Sequence, residues 1–193
     1  MPPHDQHYSK DYFYNKNGYY ELRRRFEKQK RYYRDSLIVQ HHRKKYNGKM
    51  PLWVIVEMMS FSSLSMLYSA MYNGDKDYIA GNIGTGKSVL ENHLHCLTLL
   101  RNRCAHGARL YNAPFNLPVQ FSSGFLRRNP DVKTNCLFAY CLMLARRLPN
   151  KEAKMLFIND LSSLIRKYRH EVYIDLNMIG FPADFEARLK QNS

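Results

Sequence analysis

Apolar residues recur every three or four positions along most of this chain, the spacing at which they share one face of an α-helix. A charged helix is predicted over residues 19–46, and a second helix over residues 51–72 has Pro51 in its first turn. The apolar stripe of the first helix consists of Tyr19, Leu22, Phe26, Tyr33, Leu37 and Val39. Residues 1–18 are rich in Tyr and Asn without a period, so we expect a loose arm there.

The second half of the chain continues the helical pattern. A third helix is predicted to begin at Ser88, where Ser88 and Glu91 form a capping box, and to end near Gly107. Fourth and fifth helices are predicted over residues 132–147 and 150–169. Between them and the third helix, prolines make residues 112–131 a long loop.

This pattern indicates an all-α protein. The only strand-like alternation is at residues 172–176, and residues 75–83 are expected to form a short helical or loop connection. We divide the chain into a basic, Tyr-rich arm and helix at 1–46, a helical domain at 47–185 and a tail at 186–193.

The chain is strongly basic, and the excess charge is concentrated towards its beginning. Thirty Lys and Arg residues against sixteen Asp and Glu residues give a net charge of +14 over 193 residues. Residues 1–50 hold 13 basic and 5 acidic residues, which is more than half of the excess. A charge of this size favours a polyanionic partner, nucleic acid first and an anionic membrane second.

A cytoplasmic protein without a membrane span is expected, because the polar first residues lack the apolar run of a signal peptide. The longest apolar window, residues 52–72, carries Glu57 and five serines and is expected to be a core helix. Trp53 is expected to be a core anchor, with a base-stacking platform as the alternative. The cysteines form no C-x-x-C pair and are expected to be reduced thiols. They are Cys96, Cys104, Cys136 and Cys141.

Residues 81–88 read GNIGTGKS, which matches the phosphate-loop pattern G-x-x-x-x-G-K-[ST]. Such a loop requires a buried strand directly before it, and residues 72–80 are too polar and too broken to form one. We therefore expect a chance match. A nucleotide-dependent enzyme, in which Lys87→Ala would abolish activity, is kept as a third hypothesis.

Metal-ligand residue types are crowded between residues 93 and 106, but no pair has a usual zinc spacing. No metal and no cofactor is therefore expected. The residues concerned are His93, His95, Cys96, Cys104 and His106.

The end of the third helix carries the string R-N-x-x-x-H, formed by Arg101, Asn102 and His106. Asn102 and His106 share a helix face, whereas Arg101 lies about 140° from His106 on a straight helix. The pair converges only if the helix end bends or a second copy contributes. An imidazole moves protons near neutral pH and a guanidinium holds a phosphodiester, so this set suffices to cut RNA without a metal. By itself the string is a weak signal, and a solvated helix end is the better explanation of it.

Three segments in order resemble a known family: LLRNRCAHGARLYNAPF at 99–115, PLWVIVE at 51–57 followed by Ser60-Phe61, and MIGFP at 178–182. Together they resemble the Abi-like (abortive infection, phage resistance) family of the HEPN superfamily. The family's Gly after Ser-Phe is Ser62 here. The resemblance spans about residues 46–185.

The resemblance implies a HEPN-like helical bundle at 47–185 and a homodimer in which the motifs of two copies meet in one cleft. Carried over residue by residue, Arg101 and His106 are the catalytic pair and Asn102 is the polar helper. The implied function is a metal-independent endoribonuclease in phage defence or in a toxin–antitoxin system. The ribose 2′-OH would attack the adjacent phosphorus, leaving a 2′,3′-cyclic phosphate and a 5′-OH. RNA is the implied partner, as substrate and as a regulatory or antitoxin RNA.

Basic residues interleaved with tyrosines on the first helix are predicted to follow an RNA backbone, although a solvated helix face explains them equally well. They are Arg23, Arg24, Arg25, Lys28, Arg31 and Arg34. Arg109, just beyond the motif, is predicted to contact RNA as well. The alternative function is a HEPN module that binds a structured RNA without cutting it.

Overall fold

A computed structural model describes residues 9–168 and 173–191, and in these ranges the ordered elements are helical. The α-helices are α1 Lys16–Tyr32, α2 Leu37–Tyr46, α3 Leu52–Met58, α4 Phe61–Ala70, α5 Asn73–Asn82, α6 Lys87–Ala105, α7 Ser123–Arg128, α8 Leu137–Arg147, α9 Lys151–Tyr168 and α10 Phe185–Lys190. Short 3-10 helices lie at Lys10–Tyr12 and Leu176–Ile179. No strand forms in either range, so the predicted all-α class is confirmed.

The predicted helix over residues 19–46 is two helices, because the chain breaks between α1 and α2. Ser36 has an extended backbone (φ −70°, ψ 144°), and its hydroxyl donates to the carbonyl oxygen of Tyr33 at 2.8 Å. A serine that bonds to nearby backbone competes with the helical pattern. Downstream of this break the predicted apolar stripe is wrong at Leu37, which is 86% exposed, although Val39 is buried.

The predicted helix over residues 51–72 is also divided, again at a serine. Ser60 is the N-cap of α4, with an extended backbone, and its hydroxyl oxygen accepts from the backbone N–H of Ser63 at 3.2 Å. This bond satisfies a backbone N–H in the first turn of α4 that has no partner within the helix. It therefore favours a new helix at this point over a continuation of α3. Trp53 on α3 is 64% exposed, so its predicted place in the core is wrong.

Helix α6 begins at Lys87, one residue before the predicted cap. The N–H of Leu90 donates to the carbonyl oxygen of Gly86 at 2.9 Å, which places Ser88 inside the helix. The predicted capping box is therefore wrong. The Glu91 carboxylate instead accepts from the Lys76 ammonium at 2.9 Å and the Ser69 hydroxyl at 2.8 Å.

Of the two alternatives expected for residues 75–83, a short helix or a loop, the structure has a helix, α5. The segment at 112–131 is more helical than predicted, because α7 lies inside the expected loop. Ser122 caps α7 by accepting from the N–H of Phe125, whose ring is 2% exposed. Six residues are too short for a helical period to show in the sequence, so burial of Phe125 decides this helix.

The chain divides into two compact units, Met1–His95 and Cys96–Ser193. In the first unit, α1 packs against α3 and α4 around Leu22, Phe26, Ile55 and Leu67. Phe13 joins this core at 2% exposure, so the predicted loose arm is wrong for residues 9–18. The rest of that arm, residues 1–8, lies outside the described residues.

The second unit has its core around α8. Phe138, Tyr140 and Leu142 are almost fully buried, and Ile158 of α9 joins them. The Tyr140 ring stacks on Phe115 with centroids 3.6 Å apart, and its hydroxyl donates to the carbonyl oxygen of Leu117 at 2.7 Å. These contacts attach the segment after α6 to the core.

The end of the chain contains the predicted turn at Gly180. Its φ is +78°, and a Cβ there would collide with the side chain of Cys136, so glycine is required. The strand considered at residues 172–176 is wrong over 173–176, which form a turn and the start of a 3-10 helix; residue 172 lies outside the described ranges. No helix in the described parts of the chain is long and apolar enough to cross a membrane.

Candidate functional site

The R-N-x-x-x-H string lies at the exposed C-terminus of α6, where a local motif ends the helix. The N–H of Ala108 donates to the carbonyl oxygen of Arg103 at 2.9 Å, and the N–H of Gly107 donates to that of Cys104 at 3.3 Å. With Gly107 at φ +61°, these bonds form a Schellman motif. His106 is the C-cap residue of this motif and is exposed.

Asn102 connects the other members of the string. Its side-chain Oδ1 accepts from Arg101 Nη1 at 3.1 Å, and its backbone carbonyl accepts from the N–H of His106 at 3.1 Å. Asn102 and His106 therefore lie one turn apart on one face, as predicted. Within the described ranges, Arg101 and His106 make no side-chain contact with each other, and the His106 imidazole has no hydrogen-bond partner.

Arg103, between these residues in sequence, has a structural role that sequence reasoning missed. Its Nη1 and Nη2 donate to the carbonyl oxygens of Ala113 and Pro114 at 2.7 and 2.9 Å. The guanidinium also lies 4.0 Å from the Phe115 ring centre. The sequence carried one signal for this role. Arg103 follows Arg101 by two residues, which places it on nearly the opposite side of the helix from Arg101.

Tyr111 holds the loop after the motif to a later part of the second unit. Its hydroxyl accepts from the N–H of Asp175 at 2.8 Å, and the carbonyl oxygens of Tyr173 and Asp175 lie 3.2 and 3.3 Å away as acceptors. Asn112 follows with a left-handed backbone (φ +46°). The loop carrying Arg109, which is exposed, is thus attached at both ends.

The residues of metal-ligand type do not form a cluster. His93 and Cys96 are buried, whereas His95, Cys104 and His106 are exposed. In the described part of the chain, no three His, Cys, Asp or Glu side chains are close enough to hold a metal ion. Burial raises the pKa of the Cys96 and Cys136 thiols and raises that of Cys141 to about 12.

The phosphate-loop pattern at residues 81–88 lacks the setting that the motif needs. A helix, α5, precedes it instead of a strand. Lys87, which would have to reach a phosphate, donates to the Asp77 carboxylate at 2.7 Å.

Four of the predicted RNA-binding residues line one cavity of about 390 Å³ in the first unit. They are Arg24, Arg25, Lys28 and Arg31, and Ser60 and Ser63 at the start of α4 line the same cavity. We call this the α1 cavity.

The α1 cavity also contains one acidic residue. Glu21 accepts from Arg24 and Arg25 at 2.9 and 3.0 Å, and their hydrogen bonds lower the pKa of Glu21 to about 2. Arg25 Nη1 also donates to the Ser62 hydroxyl oxygen at 3.4 Å. One carboxylate offsets only one of the four cations, so the cavity keeps an excess of three positive charges, and Lys28 and Arg31 are the two cations that are not paired with Glu21.

The remaining predicted RNA-binding residues lie outside the α1 cavity. Arg23 is on α1 but does not line the cavity. Arg34 lies in the turn after α1, 3.3 Å from Asp35, and Arg109 belongs to the second unit. The structure therefore brings together four of the seven predicted residues.

The fold and the site together define an all-α, strongly basic protein with an exposed Arg, a half-buried Asn and an exposed His at a helix terminus. A model of the Abi-like protein family matches residues 3–112, which is more than half of the chain and includes all three of these residues. The chain belongs to the Abi-like protein family. No curated protein and no solved structure matches it.

Proposed function

We propose that this protein is a HEPN-type endoribonuclease that acts in abortive infection, the phage-defence response for which its family is named, or as the toxin of a toxin–antitoxin pair. The observation that carries the proposal is the placement of exposed Arg101, half-buried Asn102 and exposed His106 together at the end of α6. The family match over residues 3–112 supports the defence role. The protein would act in the cytoplasm, restrained by a regulatory or antitoxin RNA.

The proposed chemistry needs only groups that this chain supplies. The 2′-OH of a ribose loses its proton to a His106 imidazole and attacks the adjacent phosphorus. The P–O5′ bond breaks, and the leaving 5′ oxygen takes a proton from an imidazolium. The products are a 2′,3′-cyclic phosphate and a 5′-OH. Arg101 offsets the charge on the pentacovalent phosphate, and DNA is resistant because it has no 2′-OH.

A homodimer would supply the second imidazole. In one chain Arg101 is bonded to Asn102 rather than placed beside His106, and base and acid roles are met more simply by two histidines than by one. We propose that two copies bring their α6 termini together so that one His106 accepts a proton while the other donates.

The second candidate function is an RNA-binding module that does not cut, and the α1 cavity favours it. A cavity lined by four cationic side chains, two serines and a single carboxylate has the net positive charge and the hydrogen-bond donors to hold phosphates. This candidate predicts binding that weakens steeply with salt and yields no product.

One incubation separates the two candidates. Labelled single-stranded RNA and matched DNA are mixed with the full chain in EDTA, using wild type, His106→Ala and His95→Ala. His95 is the matched control, because it is an exposed histidine on the same helix. We expect cleavage of RNA alone with cyclic-phosphate ends, a loss of about 10²–10⁴-fold in His106→Ala, and no loss in His95→Ala. Equal cleavage by wild type and His106→Ala would refute the catalytic assignment, and RNA binding without product would favour the module.

A further inference from the structure

A second cationic cavity lies in the second unit, at residues that the sequence did not single out. It has a volume of about 450 Å³ and lies where α8 ends, α9 begins and α10 ends. Four cations line it, namely Arg146, Lys151, Lys154 and Lys190, and none of its described lining residues is acidic. We call this the α9 cavity.

Arg146 is the most buried cation of the α9 cavity and is poorly compensated. Its guanidinium carbon lies 4.1 Å from the Phe125 ring centre and 5.2 Å from that of Phe121. Its Nη2 atom is fully buried and has no hydrogen-bond partner within the described ranges. A buried cationic donor without an acceptor is costly, and aromatic rings compensate only part of that cost.

The charged neighbours of Arg146 do not compensate its buried charge, because they are positively charged as well. Burial, followed by repulsion from Arg147 and Arg128, lowers the pKa of Arg146 to about 10. The pKa of Lys154 is lowered too, first by burial and then by repulsion from Arg146. Lys154 Nζ donates to the carbonyl oxygens of Lys190 and Gln191, each at 3.3 Å, which holds it beside the end of α10.

Two of these cations lie at a helix N-terminus, where positive charge is electrostatically unfavourable. Lys151 and Lys154 lie in the first turn of α9, an 18-residue helix whose N-terminus carries partial positive charge. Asn150 caps this end by accepting from the N–H of Ala153 at 2.8 Å. The acidic residue of that turn, Glu152, does not line the cavity. Cations from three helices are thus brought together without an acidic lining residue, an arrangement that a bound anion would stabilise.

We propose that the α9 cavity binds a phosphate group and that an RNA backbone supplies it. The cluster fits phosphate because a guanidinium offers paired N–H donors while lysines offer mobile point charges. The choice of RNA as the source rests on the proposed function. The phosphate site itself rests only on the residues of the cavity.

The phosphate site is tested without RNA. The full chain is unfolded thermally in chloride and in inorganic phosphate at equal pH and ionic strength. We expect phosphate to raise the Tm of wild type in a saturable way and the rise to be clearly smaller in Lys151→Gln/Lys190→Gln, where only the α1 cavity can still hold phosphate. Lys167→Gln is the matched control, because it removes an exposed lysine at the other end of α9, and it should keep the rise. No rise in wild type, or equal rises in the double variant and the control, would overturn the proposal.

A substitution of Arg146 adds an independent readout. Arg146→Met keeps most of the volume against Phe125 and removes the buried charge. We expect its Tm in chloride to equal or exceed that of wild type, with a smaller phosphate-dependent rise. A lower Tm in chloride together with an undiminished rise would contradict the role given to Arg146.

The source of the phosphate is tested by RNA binding in the His106→Ala background, where we expect cleavage to be too slow to consume the RNA during the measurement. Fluorescence anisotropy of a labelled single-stranded RNA is followed over a range of salt concentrations. Adding Lys151→Gln/Lys190→Gln should weaken binding about three- to tenfold and reduce the log–log salt slope by about 1, whereas Lys167→Gln changes affinity less than about twofold. Unchanged RNA affinity beside a genuine phosphate effect would refute RNA as the source. Because both assays measure binding, absence of cleavage would refute the proposed enzyme and leave this inference standing.

Discussion

Arg101 Nη1 donates to Asn102 Oδ1 at 3.1 Å, so two members of the Arg–Asn–His set are joined within one chain. The third member, His106, shares the helix face of Asn102, and its imidazole bonds to no residue in the described ranges. The amide therefore positions the guanidinium, while the imidazole stays open to a substrate or to a second copy. This arrangement gives the three residues different expected responses to substitution.

Arg101 and Arg103, two residues apart, should fail in different ways. Arg101→Ala removes an exposed guanidinium, so we expect RNA cleavage to fall about 10²-fold or more while the free energy of unfolding changes by less than about 0.5 kcal/mol. Arg103→Ala removes two hydrogen bonds to loop carbonyl oxygens and the contact with Phe115. The free energy of unfolding should therefore fall by about 2 kcal/mol. Urea unfolding and a single-turnover assay on both variants check this. An equal loss of stability in Arg101→Ala and Arg103→Ala would contradict the assignment of a catalytic role to Arg101 and a structural role to Arg103.

Asn102 should act on rate more than on binding. Asn102→Ala deletes the acceptor that holds Arg101, so the guanidinium samples more orientations, and we expect a loss of about tenfold in the cleavage rate with RNA affinity within about twofold of wild type. Rapid-quench cleavage and anisotropy on the same RNA measure the two quantities. A wild-type rate in Asn102→Ala would remove this positioning role.

Gly107 is required by its backbone rather than by space. A Cβ would meet nothing within 4 Å, but φ is +61°, so Gly107→Ala should cost about 1 kcal/mol in unfolding free energy and displace His106. Gly81→Ala is the control: Gly81 lies inside α5, where alanine is favoured by about 0.5 kcal/mol. Thermal melts of both variants are compared. Stabilisation by both substitutions would show that the left-handed C-terminus of α6 is absent in solution.

The α1 cavity should contribute to the salt dependence of RNA binding. Lys28→Gln/Arg31→Gln removes the two cations not paired with Glu21, so the log–log salt slope should fall by about 1 to 2. Lys44→Gln, an exposed lysine on α2 outside the cavity, should have a smaller effect. Binding isotherms between low and moderate salt measure the slopes. Equal slopes in the double variant and the control would show that α1 is only a solvated face.

The buried Cys141 thiol should make the protein sensitive to alkali. Burial raises its pKa from 9.0 to about 12, so the unfolded chain loses this proton first as the pH rises. The stability associated with the protonated thiol is therefore fully present below pH 9 and is lost progressively between about pH 9 and 12. Cys141→Ala should flatten that part of the pH profile. Urea unfolding under reducing conditions, at several pH values, measures wild type against the variant. Parallel profiles would contradict the assignment.

Much of the helical content could be predicted from the sequence, because spacing and composition are local. Leu22 and Phe26 lie one turn apart and are both buried, and the helix predicted over residues 150–169 begins within one residue of α9. The breaks at Ser36 and Ser60 were missed because an apolar period continues across them, while a single side-chain hydrogen bond decides the backbone. Helix α7 was missed because it depends on burial of Phe125 and not on any period.

The sequence by itself determined that the chain is helical and strongly basic and that it carries the R-N-x-x-x-H string. These properties depend on residue identity and short-range spacing alone. The tertiary structure decided that Trp53 is exposed, that Arg103 holds a loop while Arg101 does not, and that four cations from three helices surround the α9 cavity. Those outcomes depend on which residues distant in sequence become neighbours. Local spacing does not specify these neighbours, because each helix could pack against many alternative partners, and only the packing of the whole fold selects among them.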